Sequence, residues 1–315
     1  MTFKVFIDGE AGTTGLLIHA RLSGRRELEL VSIDPARRKE AGARAELLNS
    51  ADLAILCLPD EAAREAVSLI ENPDVKVLDP STAHRVADGW VFGFPEMEPG
   101  QRAAIAGSKR VTNPGCYSTG AIALLRPLVR GGLVPADWPV TVNAVSGYTG
   151  GGKPMIAEFE DEAAANHTKV AYRIYATALE HKHVPEMQAC IGLTHRPLFT
   201  PAVGRYAQGM IVEVPLQLAA LPGRPTSSDV RAALAAAYAG ERFVEVASAA
   251  EAAAVNTLDP EGLNGTNRMR LYVFGADDYG QARLVALLDN LGKGAAGAAV
   301  QNLNLMLGLP EDAGL

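Results

Sequence analysis

Residues 4–15 read KVFIDGEAGTTG, and this stretch decides the fold. Residues 4–8 are a short apolar run that predicts a buried strand, and residues 16–22 predict the start of a helix. Glycines in the loop between them would let the backbone approach a pyrophosphate, whose charge then rests on the helix N-terminus. The loop is therefore a candidate dinucleotide site, and the alternative is a tight turn whose glycines serve packing alone. Its candidate contacts are Gly9, Gly12, Thr13, Thr14 and Gly15.

The rest of the first third continues the alternation of strands and helices. Apolar runs predict strands at residues 28–33, 53–58 and 75–78. Residues 60–70 predict a helix capped by Asp60. This alternation is typical of a parallel sheet with crossover helices.

The pattern changes after about residue 116. Longer alternating strands, typical of an antiparallel or mixed sheet, are predicted at residues 140–145, 210–218, 243–246 and 269–274. Thr226 and Asp229 predict a capping box before a helix at residues 230–238, and residues 294–307 predict a last helix. The expected fold class is α/β, with a Rossmann-type parallel sheet followed by an α+β domain that holds a mixed sheet.

Length, composition and charge limit the classes to which this protein can belong. The 315 residues suit two domains, and the net charge of −7 argues against a broad nucleic-acid surface. No apolar run reaches the ~18 uncharged residues of a membrane span. The three cysteines are widely spaced and lack a C-x-x-C pair. That pattern argues against a disulfide framework or a metal site and favours the cytoplasm.

Two residue types follow the second predicted strand. Asp34 could hold a ribose hydroxyl, whereas Arg37 and Arg38 would accept a 2′-phosphate. NADP is therefore favoured over NAD, although either arginine could equally be a solvated surface charge.

Cys116 lies in residues 111–119, VTNPGCYST, where a strand end and an Asn-Pro-Gly turn precede a helix at residues 121–128. A helix N-terminus stabilises a thiolate, and its free N–H groups could also stabilise an oxyanion. The alternative is a buried structural cysteine. That description fits Cys57 and Cys190 better.

A histidine pair occurs in residues 180–187, EHKHVPEM. If this segment is extended, the alternate spacing puts His181 and His183 on one side, ahead of a helix opened by Pro185. The pair could be metal ligands, solvated surface histidines, or a base for Cys116 with an anion contact beside it. The residues alone leave these three interpretations open.

Five segments together resemble the N-acetyl-gamma-glutamyl-phosphate reductases, specifically their shorter branch. They run in order from the first strand to the last helix, so the resemblance covers essentially the whole chain. The glycine loop alone is weak evidence, and the ordered set is strong. The segments are GEAGTTG at 9–15, NPGCYSTGA at 113–121, SGYTGGGK at 146–153, HKHVPE at 181–186 and NLGKGAAGAAVQN at 290–302.

The resemblance implies the two-domain fold of the semialdehyde dehydrogenases. Residues 1–117 with 290–315 would bind NADP, and residues 118–289 would form the domain for catalysis and dimerisation. Cys116 takes the place of the nucleophile, His183 that of the general acid/base, and His181 lies nearer the substrate. Three residues match a segment that approaches the nicotinamide: Asn290, Lys293 and Gly294. The longer branch differs around Tyr148 and Thr149, so substrate contacts do not transfer between branches.

The implied reaction reduces N-acetyl-glutamyl 5-phosphate to the 5-semialdehyde with NADPH, through a thioester on Cys116, in arginine biosynthesis. An acyl phosphate needs cationic or amide donors. Lys153 and Arg205, which follows an expected turn at Pro201, are candidates because they lie near predicted strand ends. Asn113 is a further candidate substrate contact. A homo-oligomer, either a dimer or a tetramer, is expected from the resemblance alone.

Rival functions remain. An aspartate-semialdehyde dehydrogenase would use the same chemistry, but the HKHVPE and GYTGGGK segments argue against it. A reductase of carrier-linked aminoadipyl or glutamyl phosphate would need a basic docking face, which the acidic total does not support. A non-catalytic NADP sensor would not need a reactive thiol, and a metal hydrolase would be sensitive to chelators.

Overall fold

The computed structural model describes residues 2–38 and 40–315, which divide into two compact units. Unit 1 comprises the chain up to Pro95, Pro99–Gly115 and Ala295–Leu315. Unit 2 comprises Glu96–Glu98 and Cys116–Gly294.

Unit 1 is built on a six-stranded sheet in the order β2-β1-β3-β4-β6-β5, and all of its paired strands are parallel. The predicted Rossmann-type sheet is therefore confirmed. Its strands are β1 (Phe3–Asp8), β2 (Leu28–Val31), β3 (Leu53–Leu56), β4 (Lys76–Asp79), β5 (Val91–Phe92) and β6 (Arg110–Thr112). The helices between them are α1 (Thr13–Leu22), α2 (Ala41–Ser50), α3 (Asp60–Ser68) and α4 (Gln101–Gly107).

The predicted cap of α3 is wrong. Pro59 is the N-cap residue, and Asp60 is already the first helical residue. The Asp60 carboxylate instead accepts the backbone N–H of Thr82, at 3.0 Å. A partner 22 residues away thus outcompetes the local capping interaction, which a sequence window does not reveal.

Unit 2 is built on a seven-stranded mixed sheet, in the order β11-β12-β13-β10-β7-β9-β8. The β7–β9 and β11–β12 pairs are parallel, and the other neighbours are antiparallel, which confirms the predicted mixed sheet. Its strands are β7 (Thr141–Gly147), β8 (Tyr172–Ile174), β9 (Leu198–Gly204), β10 (Met210–Gln217), β11 (Val244–Val246), β12 (Met269–Ala276) and β13 (Gln281–Leu288). Its helices are α5 (Cys116–Arg130), α6 (Gly152–Glu160), α7 (Val184–Ile191), α8 (Ser227–Ala237) and α9 (Ala249–Ala253).

The expected turn at Pro201 is also wrong, because Pro201 lies inside β9 opposite Ala144 of β7. The ladder between β9 and the short edge strand β8 ends at Ala202, opposite Ile174. Pro201 is therefore one residue beyond that ladder, where a strand tolerates the missing N–H group.

Helix α5 continues through Pro127. Proline cannot donate to the carbonyl four residues earlier, so the Ala123 carbonyl loses its usual helical partner. The Tyr238 hydroxyl fills this place and donates to the Ala123 oxygen at 2.9 Å. Burial raises the pKa of Tyr238, which keeps the hydroxyl protonated as a donor.

The capping box of α8 is confirmed. The Thr226 hydroxyl accepts the N–H of Asp229, and the Asp229 carboxylate accepts the N–H of Thr226.

A π-helical turn, Gly292–Ala296, leads into the last helix, α10 (Gly297–Leu307). The helix predicted at residues 294–307 is thus an α-helix only from Gly297. Its side chains Ala299, Val300 and Leu303 join a core with Val5 and Ile7 of β1. The C-terminal segment therefore completes unit 1. Within the described residues, no helix has the length and apolar character needed to span a bilayer.

Candidate active site

The glycine loop connects β1 to α1 and is tightly closed. Gly9 adopts a φ of +84°, and the N–H of Gly12 donates to the Gly9 carbonyl at 3.0 Å. A Cβ at Gly15 would lie 2.7 Å from the Gly9 oxygen and 2.8 Å from the Glu10 oxygen, so a side chain does not fit there. Helix α1 begins at Thr13, and no described side chain caps it. The first-turn N–H groups at Thr13, Thr14 and Gly15 therefore suit an anion such as a pyrophosphate.

Glu10 is a loop residue that the sequence analysis missed. Its carboxylate accepts the Ser32 hydroxyl at 2.8 Å and lies 3.2 Å from the His19 ring. Ser32 directly follows β2, so this contact ties the glycine loop to the end of the second strand. A glutamate inside a G-x-x-G-x-x-G loop has no local signal for such a role.

The residues predicted to select the cofactor follow β2. The Asp34 carboxylate accepts the N–H of Ala36 at 2.9 Å. Arg37 pairs with Glu40 at 3.0 Å on the surface, and this pairing raises the pKa of the guanidinium. Arg38 is exposed. Their predicted contacts with a cofactor stay predictions.

Cys116 is the first residue of α5 and is partly exposed, whereas the next nine residues of the helix are buried. The two other cysteines have different surroundings. Burial raises the pKa of both Cys57 and Cys190 to about 12, so both are protonated thiols at neutral pH. By exposed area all three cysteines are partly exposed, so Cys116 is distinguished by its place in the first turn of a helix.

Asn113 begins the Asn-Pro-Gly turn that precedes Cys116 and is 1 % exposed. Its side-chain amide donates to the Ala295 carbonyl at 2.9 Å, and its oxygen accepts the Asn302 amide at 3.0 Å. Both ends of the amide have partners inside unit 1. Asn113 thus holds the turn, and its predicted contact with substrate stays a prediction.

His181 and His183 come together, with ring centroids 4.7 Å apart. The Tyr117 ring lies 5.9 Å from His181 and 5.8 Å from His183, and the Tyr175 hydroxyl is 3.4 Å from His181 Nε2. Burial is the largest cause that raises the pKa of Tyr117, and it raises the pKa of Tyr175 to about 12. The charge of the nearby Cys116 is a smaller cause that raises the pKa of both tyrosines. The structure therefore gathers the predicted nucleophile and both histidines around two tyrosines.

The expected extended segment at residues 181–183 is wrong. These residues form a turn, closed by the Val184 N–H on the His181 carbonyl at 3.0 Å. Helix α7 begins at Val184, with Pro185 in its first turn, where no N–H group is needed. The two rings meet because of this turn and not because of strand alternation.

Lys153 and Arg205 lie outside this cluster of contacts. Lys153 is exposed in the first turn of α6. Arg205 donates to the Thr168 carbonyl at 2.6 Å, and its guanidinium lies 5.8 Å from the Phe159 ring centroid. Their predicted phosphate contacts therefore stay predictions.

The residues expected near the nicotinamide are largely buried. Asn290 accepts the Gly209 N–H at 2.7 Å and donates to the Thr149 hydroxyl at 3.1 Å. The Lys293 ammonium contacts both carboxylate oxygens of Glu96 at 2.8 Å. A cofactor contact by this ammonium would compete with Glu96.

A cavity of about 500 Å³ opens beside His181. It brings two cationic side chains, Lys182 and Arg196, to the histidine turn. Lys182 stands between the two histidines, which is a signal that the sequence analysis did not use, whereas Arg196 comes from the loop after α7. The lining residues are Glu180, His181, Lys182, Val184, Pro185, Gln188 and Arg196.

No group of three or more His, Cys, Asp or Glu side chains could hold a metal ion in the part of the chain that the structure describes. The histidine pair is instead surrounded by tyrosines, Phe199 and the start of α5.

Two family models match the chain. The NAD binding domain of semialdehyde dehydrogenase matches residues 5–105, and the semialdehyde dehydrogenase dimerisation domain matches residues 116–290. Among solved structures, aspartate semialdehyde dehydrogenase II of Vibrio cholerae, complexed with ASA, superposes with a TM-score of 0.73 at 16 % identity, covering 98 % of both chains. The NADP complex of Candida albicans aspartate semialdehyde dehydrogenase has a TM-score of 0.66 at 15 % identity, covering 98 % of this chain and 99 % of that one. At these identities the likeness concerns the fold.

Curated relatives are much more similar in sequence. N-acetyl-gamma-glutamyl-phosphate reductase 2 of Nostoc sp. is 54 % identical and covers 99 % of both chains. The N-acetyl-gamma-glutamyl-phosphate reductase of Mesorhizobium japonicum is 57 % identical, covering 97 % of this chain and 99 % of its own. Since identity of this level extends over nearly the whole length, the chain belongs to the N-acetyl-gamma-glutamyl-phosphate reductase family.

Proposed function

We propose that this protein is an NADPH-dependent N-acetyl-gamma-glutamyl-phosphate reductase. It reduces N-acetyl-glutamyl 5-phosphate to the 5-semialdehyde and releases phosphate, as a step of arginine biosynthesis. The observation that carries the proposal is the grouping of Cys116, at the start of α5, with the His181–His183 turn and its tyrosines. The family relationship supplies the substrate.

Unit 1 is the proposed nucleotide unit. Its tight glycine loop and the uncapped first turn of α1 fit a dinucleotide pyrophosphate. Arg37 and Arg38 would accept the 2′-phosphate of NADP, with Asp34 nearby for the ribose. When bound, the cofactor supplies the hydride that the acyl carbon accepts.

Unit 2 is the proposed catalytic unit. The Cys116 thiolate attacks the acyl carbon, the carbon–oxygen bond to phosphate breaks, and a thioester remains. After reduction, the hemithioacetal oxyanion lies near the N–H groups that begin α5. His183 then donates a proton as the carbon–sulfur bond breaks, and the aldehyde leaves.

The assignment of the acid to His183 is supported by the hydrogen bonds of His181. The His181 Nδ1 atom accepts the backbone N–H of His183 at 3.1 Å, so it carries no proton there. Its proton then resides on Nε2, beside the Tyr175 hydroxyl. His181 is thereby held as a neutral donor, which suits contact with a substrate oxygen.

The substrate side of the site is proposed to include the cavity beside His181. Lys182 and Arg196 supply positive charge there, which suits a carboxylate or phosphate group. Val184 and Pro185 supply an apolar wall for the methylene chain. Lys153 and Arg205 remain further candidates for binding the substrate. Asn290, Lys293 and Gly294 remain candidates for binding the cofactor.

A cytoplasmic homo-oligomer, formed by unit 2, completes the proposal. Strand β8 is the edge of the mixed sheet, and large apolar side chains are exposed on it and close by in the chain. Exposed apolar groups on a sheet edge favour a protein contact. These side chains are Tyr172, Ile174 and Leu179, together with Leu198 at the start of β9.

The decisive test is the reverse reaction. Purified protein is mixed with NADP⁺, phosphate and N-acetyl-glutamate 5-semialdehyde, and NADPH absorbance is followed. Phosphate-dependent turnover that prefers this aldehyde to aspartate semialdehyde supports the proposal. Turnover with aspartate semialdehyde alone would assign the protein to the sister activity, which the fold likeness also allows.

A further inference from the structure

The π-helical turn Gly292–Ala296 is anchored by a buried ion pair. The Lys293 ammonium lies 2.8 Å from both carboxylate oxygens of Glu96, and the two side chains are 1 % and 0 % exposed. The Phe243 ring covers the ammonium, with its centroid 5.6 Å away. Glu96 belongs to a three-residue segment of unit 2 that is remote in sequence from this turn.

The other end of the same turn is also held. The N–H of Gly294 donates to the Asp289 carbonyl at 2.9 Å. The Asp289 carboxylate accepts the N–H groups of Leu291 and Gly265, both at 2.8 Å. The turn is therefore fixed before and within its π-helical segment.

The anchored turn packs directly on the proposed nucleophile. A Cβ atom at Gly294 would lie 2.7 Å from the Cys116 Cβ and 3.2 Å from the Cys116 Cα. Such distances leave no space between the Gly294 backbone and the first residue of α5. A small displacement of this turn would therefore reach Cys116.

A fully buried ion pair is a poor device for stability alone. Removing two charges from water is costly, and apolar side chains of similar volume often stabilise a core equally well. π-Helical turns, in addition, occur frequently at functional sites. A role in placing the turn explains why charges occupy this position.

We propose that Glu96 and Lys293 are positioning residues, which hold the Gly292–Ala296 turn against Cys116 and so set the placement of its thiol. The inference rests on the proposed function in one respect, the choice of Cys116 as nucleophile. Both side chains act through the backbone of Gly294.

The test replaces the pair with apolar side chains in the double variant Glu96→Leu/Lys293→Met. The rate of Cys116 alkylation by iodoacetamide is measured by mass spectrometry, together with kcat and KM. We expect alkylation to slow about tenfold, as the thiol leaves the N–H groups of α5. A misplaced reacting group also lowers kcat by about a hundredfold, with little change in KM.

A matched control removes a more exposed ion pair of the same unit, through Glu245→Leu/Arg270→Met. This control is expected to keep wild-type alkylation and kinetics. Double-variant alkylation and kcat within about twofold of wild type would overturn the proposal.

A second, more conservative variant tests the proposal if the double variant fails to fold. Glu96→Gln keeps the side-chain volume and one oxygen for Lys293, and should slow alkylation and lower kcat in the same direction. If this variant folds and changes neither rate, the proposal is wrong. Alkylation needs no substrate, so the positioning role is tested even if the purified protein lacks reductase activity.

Discussion

The backbone N–H of His183 donates a hydrogen bond to the Nδ1 atom of His181, two residues earlier in the chain, at 3.1 Å. This bond assigns the His181 proton to Nε2 and separates the roles of two chemically identical side chains. We expect His183→Asn to lower kcat by about 10²–10⁴-fold, the usual effect of losing a general acid. His181→Asn keeps an acceptor near Nδ1, so it should mainly raise KM for the acyl phosphate. Steady-state measurements of kcat and KM test both expectations. If His183→Asn mainly raised KM and His181→Asn mainly lowered kcat, the two roles would be exchanged.

Only one of the three cysteines is expected to react with iodoacetamide. Burial raises the pKa of Cys57 and Cys190 to about 12. At pH 8 the thiolate is then about one part in ten thousand at each site. Mass spectrometry should locate the label at Cys116, with protection by the acyl phosphate. Cys116→Ser should abolish turnover whereas Cys190→Ser should retain it, and a fully active Cys116→Ser variant would exclude a thioester.

The glycine loop predicts a selective effect on the cofactor. The Cβ of Gly15→Ala would collide with the Gly9 carbonyl, 2.7 Å away, and should distort the pyrophosphate site. KM for NADPH should therefore rise much more than KM for the acyl phosphate. Gly42→Ala is the control, because α2 leaves open space at this position. Gly42→Ala should stabilise unit 1 by about 1 kcal/mol. If Gly15→Ala and Gly42→Ala had equal KM values for NADPH, this loop would not be the nucleotide site.

Selection of NADPH over NADH is expected to depend on Arg37 and Arg38. Each charge-assisted hydrogen bond to a 2′-phosphate is worth about 1.5–3 kcal/mol, or roughly 10–100-fold in affinity. The double variant Arg37→Ala/Arg38→Ala should raise KM for NADPH to this extent and leave KM for NADH unchanged. Parallel titrations with the two cofactors measure the difference. If KM rose equally for NADPH and NADH, these arginines would be solvated surface charges that do not select the cofactor.

The bond from Tyr238 to the Ala123 carbonyl is expected to stabilise α5. Tyr238→Phe leaves that carbonyl buried without its donor and should cost about 1–3 kcal/mol in the free energy of unfolding. Tyr279→Phe is the control, since Tyr279 is exposed. Chemical denaturation measures both. In the Pro127→Ala variant, the backbone N–H of residue 127 can donate to the Ala123 carbonyl. Tyr238→Phe should then lower the free energy of unfolding by less than it does in the wild type. An equal loss in both backgrounds would refute this account of Pro127.

Elements whose signals lie within a few residues could be predicted from the sequence. The strand, glycine loop and first helix follow from residues 4–22, and the capping box follows from Thr226 and Asp229. Both depend on short-range sterics and hydrogen bonds, so a local window contains the interacting groups. The change from a parallel to a mixed sheet was predictable for the same reason, because strand periodicity is a local property.

Errors arose where a distant partner decided the local structure. Asp60 bonds to Thr82 and does not cap its helix, and Pro201 continues a strand because the β8 ladder ends beside it. In each case the competing group is 20 or more residues away, or belongs to another strand.

The sequence by itself thus determined the fold class, the nucleophile candidate and the family, since these rest on periodicity, turn chemistry and ordered motifs. Tertiary structure alone decided which groups surround that nucleophile. The proton position on His181, the cavity with Arg196 and the Glu96–Lys293 anchor all join residues through space. Burial and hydrogen-bond geometry depend on the packed chain, and no pattern along the sequence specifies them.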